Sequence, residues 1–318
     1  MTRARRLLKP LLAVVVVGCI AFFFVKAFQR NWASIKQHEF TVSPAFLLGA
    51  GLTLAATMLL STWGWYLAVN ELSPQQVSFR QSVAVNNSSS LTKYIPGKIW
   101  SYALQLYWLD GLGVSKALVV YVNLINLLIS MAATVMLGLA CLLCAHGHQL
   151  PKPALVAALC ALLVVDGLCV MFNHALLRNV ISLVNRLFKR NIQNFDVGKA
   201  LLVKLHAIHL LAALVSGLSA YLFCIAIGYQ VDLDRTLVIV GSTSISDVVG
   251  FLAIIVPGGL GVREGLMYAI LGGQASGSLS LVLPLGTRML SMLIDVVLGA
   301  VAFKLLSTLT RKNERLEA

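Results

Sequence analysis

The chain has 318 residues, of which 58% are hydrophobic and only 12% charged, and its formal net charge is +13. A soluble domain of this composition could not cover its surface with polar groups, so the sequence indicates a polytopic membrane protein. The basic residues are dispersed over segments that flank apolar runs, which excludes a nucleic-acid-binding groove. Anionic membrane lipid is the partner that this charge favours.

Apolar runs long enough to cross a hydrocarbon layer of roughly 30 Å occur six times along the chain. They cover residues 7–28, 45–69, 116–144, 154–176, 200–228 and 279–305. The runs are continuous rather than alternating, and an open sheet edge would leave backbone groups unpaired in lipid, so we expect an all-α fold. Two further segments, 80–110 and 236–274, are partly apolar but interrupted by Pro, Gly, Ser and Asn. We expect them to form broken or re-entrant helical hairpins.

Lys and Arg are distributed unevenly over the segments that connect these spans. If each interrupted segment enters and leaves on the same side, or else crosses twice, one side of the membrane receives most of the basic residues, including those of both chain ends. Short loops rich in Lys and Arg stay in the cytoplasm. The pattern therefore predicts a multi-pass protein whose N- and C-termini are both cytoplasmic.

A shift of the sequence by 161 positions aligns the two interrupted segments and the spans around them. Pro96 then falls on Pro257, and the apolar run at 45–69 falls on 206–230. Three spans, an odd number, separate the interrupted segments, so the two halves must face opposite ways across the bilayer. Inverted repeats with interrupted helices near mid-membrane are associated with transporters. We therefore predict two inverted repeats, which cover residues 1–150 and 151–318.

The interrupted segments carry residues suited to a hairpin tip. In KYIPGKIW at 93–100, Pro96 cannot continue a preceding helix but suits the first turn of the next one. The returning half-helix, which starts near Lys98, would direct free backbone N–H groups and the positive end of its dipole into the membrane. VPGGLGVREG at 256–265 repeats this pattern, with Arg263 just inside the new helix. Two such helix ends near the midplane predict a phosphate-binding site.

The predicted substrate-binding residues therefore come from the two hairpin tips. They are Lys93, Pro96, Gly97, Lys98, Pro257, Gly258, Gly259, Gly261, Arg263 and Glu264. Three roles remain open for Glu264: it neutralises the empty site, carries a proton during exchange, or pairs with Arg288. Charges in lipid face a cavity or a partner, which adds Asp247, Arg288 and Asp295 as supporting intramembrane charges. An ion pair that only locks Arg288 to one of the carboxylates explains these three equally well.

Other polar residues in the spans receive structural interpretations. Asp166 is alone in its span and is predicted to form a helix–helix hydrogen bond, and His206 and His209 are predicted to be interfacial. The six cysteines lie in or beside apolar runs and are expected to be packing residues without a metal. We expect no cofactor. The sequence has no recognisable nucleophile with its base and no repeated metal-ligand spacing, so we also expect no enzymatic activity.

The stretches SLTKYIPGKIW at 90–100 and PGGLGVREG at 257–265 resemble the two signature stretches of the lysylphosphatidylglycerol synthase transmembrane-domain family, described as flippase-like integral membrane proteins. The resemblance covers nearly the whole chain. It implies a bacterial inner-membrane protein that moves, or helps handle, a phospholipid or polyprenyl-phosphate-linked lipid. The best-known members carry a soluble domain that makes the aminoacylated lipid. Only about a dozen residues follow the last predicted span here, which implies a stand-alone member without that domain.

Two functions of different classes follow from these observations. In the first, the chain is a lipid flippase or transporter whose two opposed half-helix N-termini hold the head-group phosphate. Because no G-x-x-x-x-G-K-[ST] motif is present, the movement is expected to run downhill or to be coupled to an ion or proton gradient. In the second, the chain is a non-transporting partner or regulator of a lipid-modifying enzyme or glycosyltransferase, and the interrupted segments are structural.

Overall fold

The computed structural model describes residues 40–91, 99–146, 151–188, 195–253, 259–272 and 277–317, together with Val25, Gln29, Trp32, Lys36 and Val256. Nine long or medium α-helices and no strand occur in this described part of the chain. They are α1 (Pro44–Leu72), α2 (Phe79–Ser90), α3 (Ile99–Asp110), α4 (Lys116–Ala145), α5 (Lys152–Phe188), α6 (Lys199–Ala226), α7 (Leu233–Leu252), α8 (Val262–Gly272) and α9 (Gly277–Glu317). The predicted all-α fold class is confirmed.

Five helices in the described residues are long and apolar enough to cross a membrane. They are α1, α4, α6, α7 and the part Ser278–Leu306 of α9. Four of them coincide with the apolar runs predicted as spans, and the run at 154–176 lies within the 37-residue helix α5. The fifth, α7, is a continuous helix of 20 residues inside a segment that was expected to be interrupted. The predicted span at 7–28 lies outside the described residues.

The interruptions fall between α2 and α3 and between α7 and α8, where the sequence places its Pro-Gly pairs. α2 ends at Ser90 and α3 begins at Ile99, while α7 ends at Leu252 and α8 begins at Val262. The intervening Pro96, Gly97, Pro257 and Gly258 lie outside the described residues. The described part of each interrupted segment thus comprises two helices, and the predicted hairpin tips between them stay a prediction.

Side-chain caps stabilise the starts of α2 and α7. The backbone N–H of Ser78 donates to Gln81 Oε1 at 2.8 Å, and the Gln81 N–H donates back to Ser78 Oγ at 3.2 Å, which is a capping box at the start of α2. Asp232 accepts from the Arg235 N–H at 2.8 Å at the start of α7. Such caps satisfy N–H groups that have no partner within the helix.

The helices pack in a pattern that pairs distant parts of the chain. α1 and α6 lie along each other most extensively, and Ser219 Oγ of α6 donates to the Ala50 carbonyl of α1 at 2.7 Å. The long helix α4 packs against α7, and the long helix α9 packs against α2. The two helices that precede the interruptions, α2 and α7, therefore each pack against a long helix from the other half of the chain.

Two glycines allow these long helices to approach their partners closely. A Cβ atom at Gly138 of α4 would lie 2.8 Å from Ile245 Cδ1 of α7, and one at Gly299 of α9 would lie 2.4 Å from Leu91 Cγ, directly after α2. Gly138 and Gly299 are 161 positions apart, the shift that aligns the two interrupted segments. Small residues at helix contacts allow the close backbone approach on which packing in lipid depends.

Replacement of Gly138 or Gly299 by Ala tests these two helix contacts. The added methyl group would overlap side chains of α7 or the residue after α2, and overpacking of this kind costs about 1–3 kcal/mol. We expect a lower melting temperature for both variants of the detergent-purified protein. Gly167→Ala in α5 is the matched control, because a Cβ there meets nothing within 4 Å in the described structure. Equal melting temperatures for all three variants would contradict the close contacts.

Candidate functional site

A cavity of about 230 Å³ with both polar and apolar lining residues lies among α1, α4, α6 and α7. Its polar lining comes from all four helices and consists of Thr57, Ser61, Ser130, Thr134, His209, Ser216, Ser244 and Asp247. Polar groups inside a membrane protein face a cavity or a partner, because hydrocarbon cannot solvate them. One buried water needs roughly 10–15 Å³, so this cavity has room for several.

The cavity lies at the middle depth of three predicted spans. Thr57, Ser130 and Ala212 line it, and each lies near the midpoint of a helix of 28 to 30 residues. At a rise of 1.5 Å per residue, Thr57 is about 20 Å along α1 from its first residue. The part of the lining that α1, α4 and α6 contribute is therefore centred near the middle of these three helices.

Histidine 209 lies in the wall of this cavity. The side chain is only 6% exposed, and its Nε2 lies 3.0 Å from Asn126 Oδ1. The prediction that His209 is interfacial is therefore wrong, because the residue is about 15 Å along α6 and turns inward towards α4. The Asn126 amide is oriented by a 2.9 Å bond from its Nδ2 to the Val122 carbonyl, so Nε2 of the histidine is the donor to Asn126 Oδ1.

His206, one turn earlier on α6, faces α5 instead. Its Nε2 lies 2.8 Å from Asp166 Oδ2, and both side chains are nearly buried. His206 is about 10 Å along α6, and its interfacial location stays a prediction. Asp166 contacts His206 between α5 and α6, but His206 Nε2 has no hydrogen-bond partner in the described structure, so the helix–helix hydrogen bond of Asp166 also stays a prediction.

Asp247 of the cavity wall forms an ion pair with Arg263 at the start of α8. Asp247 Oδ1 and Arg263 Nε are 2.6 Å apart, and the side chains are 30% and 19% exposed. Gly250 permits the approach, since a Cβ at that position would lie 2.9 Å from Arg263 Cβ. Gly259 has a φ of 68°, and a Cβ there would lie 2.4 Å from the Gly250 carbonyl oxygen. These glycines allow the first turn of α8 to pack on the last turns of α7.

Glu264 pairs with Arg288 in a second ion pair that is more deeply buried. Glu264 Oε1 and Arg288 Nε are 3.4 Å apart, with no hydrogen bond between these two atoms, and the side chains are 3% and 10% exposed. The other carboxylate oxygen, Oε2, accepts a hydrogen bond from the Gly261 N–H at the start of α8. Of the three roles left open for Glu264, pairing with Arg288 is the one observed.

The hydrogen bond from the Gly261 N–H to Glu264 occupies a donor at the start of α8 that was predicted to be free. The sequence predicted a helix end with free N–H groups available to a phosphate. Glu264 is the third residue of α8, and its own carboxylate takes the Gly261 N–H in the manner of a capping box. A negative group thus already lies beside the positive end of the helix dipole.

The structure brings part of the predicted site together. Gly259, Gly261, Arg263, Glu264, Asp247 and Arg288 surround the junction of α7, α8 and α9. Asp295 is buried in α9, about two turns after Arg288. Lys93, Pro96, Gly97, Lys98, Pro257 and Gly258 lie outside the described residues, so the convergence of the two hairpin tips stays a prediction.

The hydroxyl lining of the cavity was not predicted from the sequence. The signal was present, because Thr57 and Ser61, and likewise Ser130 and Thr134, are four residues apart and lie on one helix face. The same spacing occurs wherever hydroxyl groups bond back to their own helix, as Ser61 Oγ does to the Thr57 carbonyl at 3.0 Å. Sequence spacing alone does not distinguish these two arrangements.

The family of the chain follows from a match over most of its length. Residues 10–299 match the family described as lysylphosphatidylglycerol synthase TM region. The chain belongs to this family. The resemblance drawn from the two hairpin motifs is thereby confirmed, and the family places the chain among membrane proteins of lipid metabolism or translocation. No curated protein sequence matches it.

Replacement of Glu264 by Gln tests the buried ion pair. The substitution leaves Arg288 in the interior without this carboxylate, and removal of one member of a buried pair costs about 3–5 kcal/mol. We expect a large fall in the melting temperature in detergent, and a smaller one for Asp247→Asn, whose pair is open to the cavity. A double-mutant cycle with Arg288→Met measures the coupling. Equal losses for Glu264→Gln and Asp247→Asn would contradict the difference in burial.

Proposed function

We propose that the chain is a lipid flippase that moves an anionic phospholipid or polyprenyl-phosphate-linked lipid between the leaflets of a bacterial inner membrane. The observation that carries the proposal is the cavity among α1, α4, α6 and α7, whose wall includes Asp247, the ion-pair partner of Arg263. A lipid head group that crosses the bilayer must leave water, and transfer of an unpaired polar or charged group into hydrocarbon is costly. A hydroxyl-lined cavity with an arginine beside it lowers that cost. Membership in this family favours a lipid as the transported molecule.

Inverted repeats of residues 1–150 and 151–318 are part of this proposal. Under the 161-residue shift, α1 corresponds to α6, α2 to α7, α3 to α8 and α4 to α9. The packing of α4 on α7 then corresponds to the packing of α9 on α2, and α1 packs on its own counterpart α6. This packing pattern is unchanged when the two halves are exchanged, as a pseudo-two-fold axis requires, and it supports the repeat.

Side-chain contacts at corresponding positions also support the repeat. Asn86 of α2 corresponds to Asp247 of α7, and its Oδ1 accepts from Gln105 Nε2 of α3 at 3.0 Å. In both interrupted segments the residue at this position contacts the second helix. The contact is between neutral amides in the first segment and between charged groups in the second. Inverted-repeat transporters rock one half against the other around a central site. We propose this motion as the transport step.

Arg263 is the proposed contact for the head-group phosphate. A guanidinium group presents planar pairs of N–H donors that match phosphate oxygens, which makes arginine suited to this role. Lys93 and Lys98 are proposed to add positive charge from the first hairpin. The two cytoplasmic termini predicted from the basic residues belong to the same proposal, as does the absence of a catalytic step.

Replacement of Arg263 by Ala tests the phosphate contact. In phosphatidylcholine vesicles with a labelled phosphatidylglycerol probe, we expect the variant to exchange the probe between leaflets at least about tenfold more slowly, because transition-state contacts with the phosphate are lost. Arg235→Ala is the control, since that arginine is exposed at the start of α7 and pairs with Asp232. Unchanged exchange in the combined Lys98→Ala and Arg263→Ala variant would contradict the proposed site.

Replacement of Ser130 by Phe tests the cavity itself. The ring would occupy space that the head group needs, so we expect exchange of the same probe to slow by about tenfold or more. Leu139→Phe is the matched control on the same helix, because Leu139 is an exposed residue that does not line the cavity. Both proteins should retain their melting temperatures. Equal exchange rates in the two variants would contradict passage through the cavity.

A further inference from the structure

The two ion pairs at the α7–α8 junction differ in their access to the cavity. Asp247 lines the cavity and is 30% exposed, whereas Glu264 is 3% exposed and is held by the Gly261 N–H as well as by Arg288. A buried pair whose members have further bonds is costly to separate. The Asp247–Arg263 pair is therefore the one that a molecule in the cavity can exchange.

Arg263 Nε lies 2.6 Å from Asp247 Oδ1, and the arginine side chain is 19% exposed. A phosphate that approaches from the cavity meets the Asp247 carboxylate in the cavity wall, with the Arg263 guanidinium group next to it. Two anions next to one guanidinium repel each other, and in a medium of low dielectric constant this repulsion is large.

We propose that Asp247 and a phosphodiester head group compete for Arg263, and that Asp247 takes up one proton when the phosphate binds. This inference rests on the proposed function and adds its coupling to protons. The proton is taken up from the buffered solution and adds to the Asp247 carboxylate, while the charge of Arg263 is then balanced by the phosphate. The net charge of the site thus remains the same in the empty and the occupied state.

The groups that face Asp247 determine whether this residue carries the proton. Among the described residues, α8 contributes Arg263 as the partner of Asp247 and α6 contributes His209 to the cavity wall, while the residues of α1 and α4 that line the cavity are neutral. Glu264 follows Arg263 in the sequence and pairs with Arg288. His209 donates from Nε2 to Asn126, which leaves its Nδ1 as the competing proton site.

The sign of the pH dependence follows from linkage. The occupied state binds more protons than the empty state, so affinity for the phosphodiester falls as the pH rises. One linked proton changes the affinity by up to about tenfold per pH unit. Phosphodiesters keep their single charge throughout the neutral range, so a slope in this range reports the protein rather than the ligand.

The test uses the full chain in detergent and dihexanoyl-phosphatidylglycerol as the probe. Calorimetric titration between about pH 5 and pH 8, in two buffers of different ionisation enthalpy, gives the affinity and the number of protons taken up. For the wild-type chain we expect proton uptake and an affinity that falls with rising pH. Asp247→Asn, which is equal in size, should bind without proton uptake and without a slope. Dimethyl phosphate separates a lipid from a free anion and is expected to bind at least about tenfold more weakly.

Two control variants make the assignment specific. Asp166→Asn removes a membrane carboxylate that pairs with His206 outside the cavity, and His209→Gln removes the competing proton site. Both should keep the slope of the wild-type chain. A slope that survives Asp247→Asn, or disappears in His209→Gln, would overturn the proposal.

The measurement also separates this proposal from the proposed function. Wild-type protein that binds and moves phosphatidylglycerol without proton uptake overturns the proton linkage and leaves the flippase assignment standing. Protein that neither binds nor moves phosphatidylglycerol overturns both. Equal affinity for dimethyl phosphate and the lipid overturns the assignment of the site to lipid.

Discussion

Helix α7 packs closely between α4 and α6, and the cavity and its charges depend on this contact. Three glycines, one from each helix, lie at the crossings. A Cβ at Gly138, Gly217 or Gly241 would lie 2.8 Å or less from Ile245, Val240 or Leu142, respectively. Helices in lipid gain little from hydrophobic burial against each other, so close van der Waals contact has to hold them together. Larger residues at these positions would move α7 outward and remove Asp247 from the cavity.

The position of α7 in turn fixes where charge is tolerated in the protein interior. Asp247 has Arg263 as a partner because α8 folds back along the end of α7, and Glu264 has Arg288 because α9 lies on the other side of α8. A charge without such a partner would be costly at this depth. Arg263 and Glu264 are neighbours in the sequence, but their ion pairs differ in exposure. The buried Glu264–Arg288 pair is suited to a structural role, and the more exposed Asp247–Arg263 pair is suited to exchange.

The proposed transport cycle uses this difference. An anionic head group needs positive charge at mid-depth only while it is present, and the empty site needs that charge to be neutralised. In the empty state the Asp247 carboxylate neutralises Arg263. When a phosphate takes the place of Asp247 beside Arg263, proton uptake removes the negative charge of Asp247. The same arrangement would couple lipid movement to a proton gradient, which suits a chain whose sequence contains no nucleotide-binding motif.

Much of this architecture is readable in the sequence, because membrane insertion depends on local composition. The four predicted spans that coincide with long apolar helices, the all-α class and the family all follow from runs and motifs a few residues to about thirty residues long. The face of a helix on which a side chain lies does not follow from such runs. His209 was predicted to be interfacial because it lies near the end of an apolar run, and that position says nothing about the face on which it lies.

The sequence alone thus determined which segments are apolar and helical, and which charged residues lie within these helices. Only the tertiary structure decided the partners of those charges and the existence of the cavity. Asp247 could reach Arg263, Arg288 or neither, and the outcome depends on the turn at Gly259 and on the close packing of α7. The physical reason is that ion pairs and cavities are set by distances between helices, which depend on packing of residues far apart in the chain, whereas hydropathy is a property of neighbours.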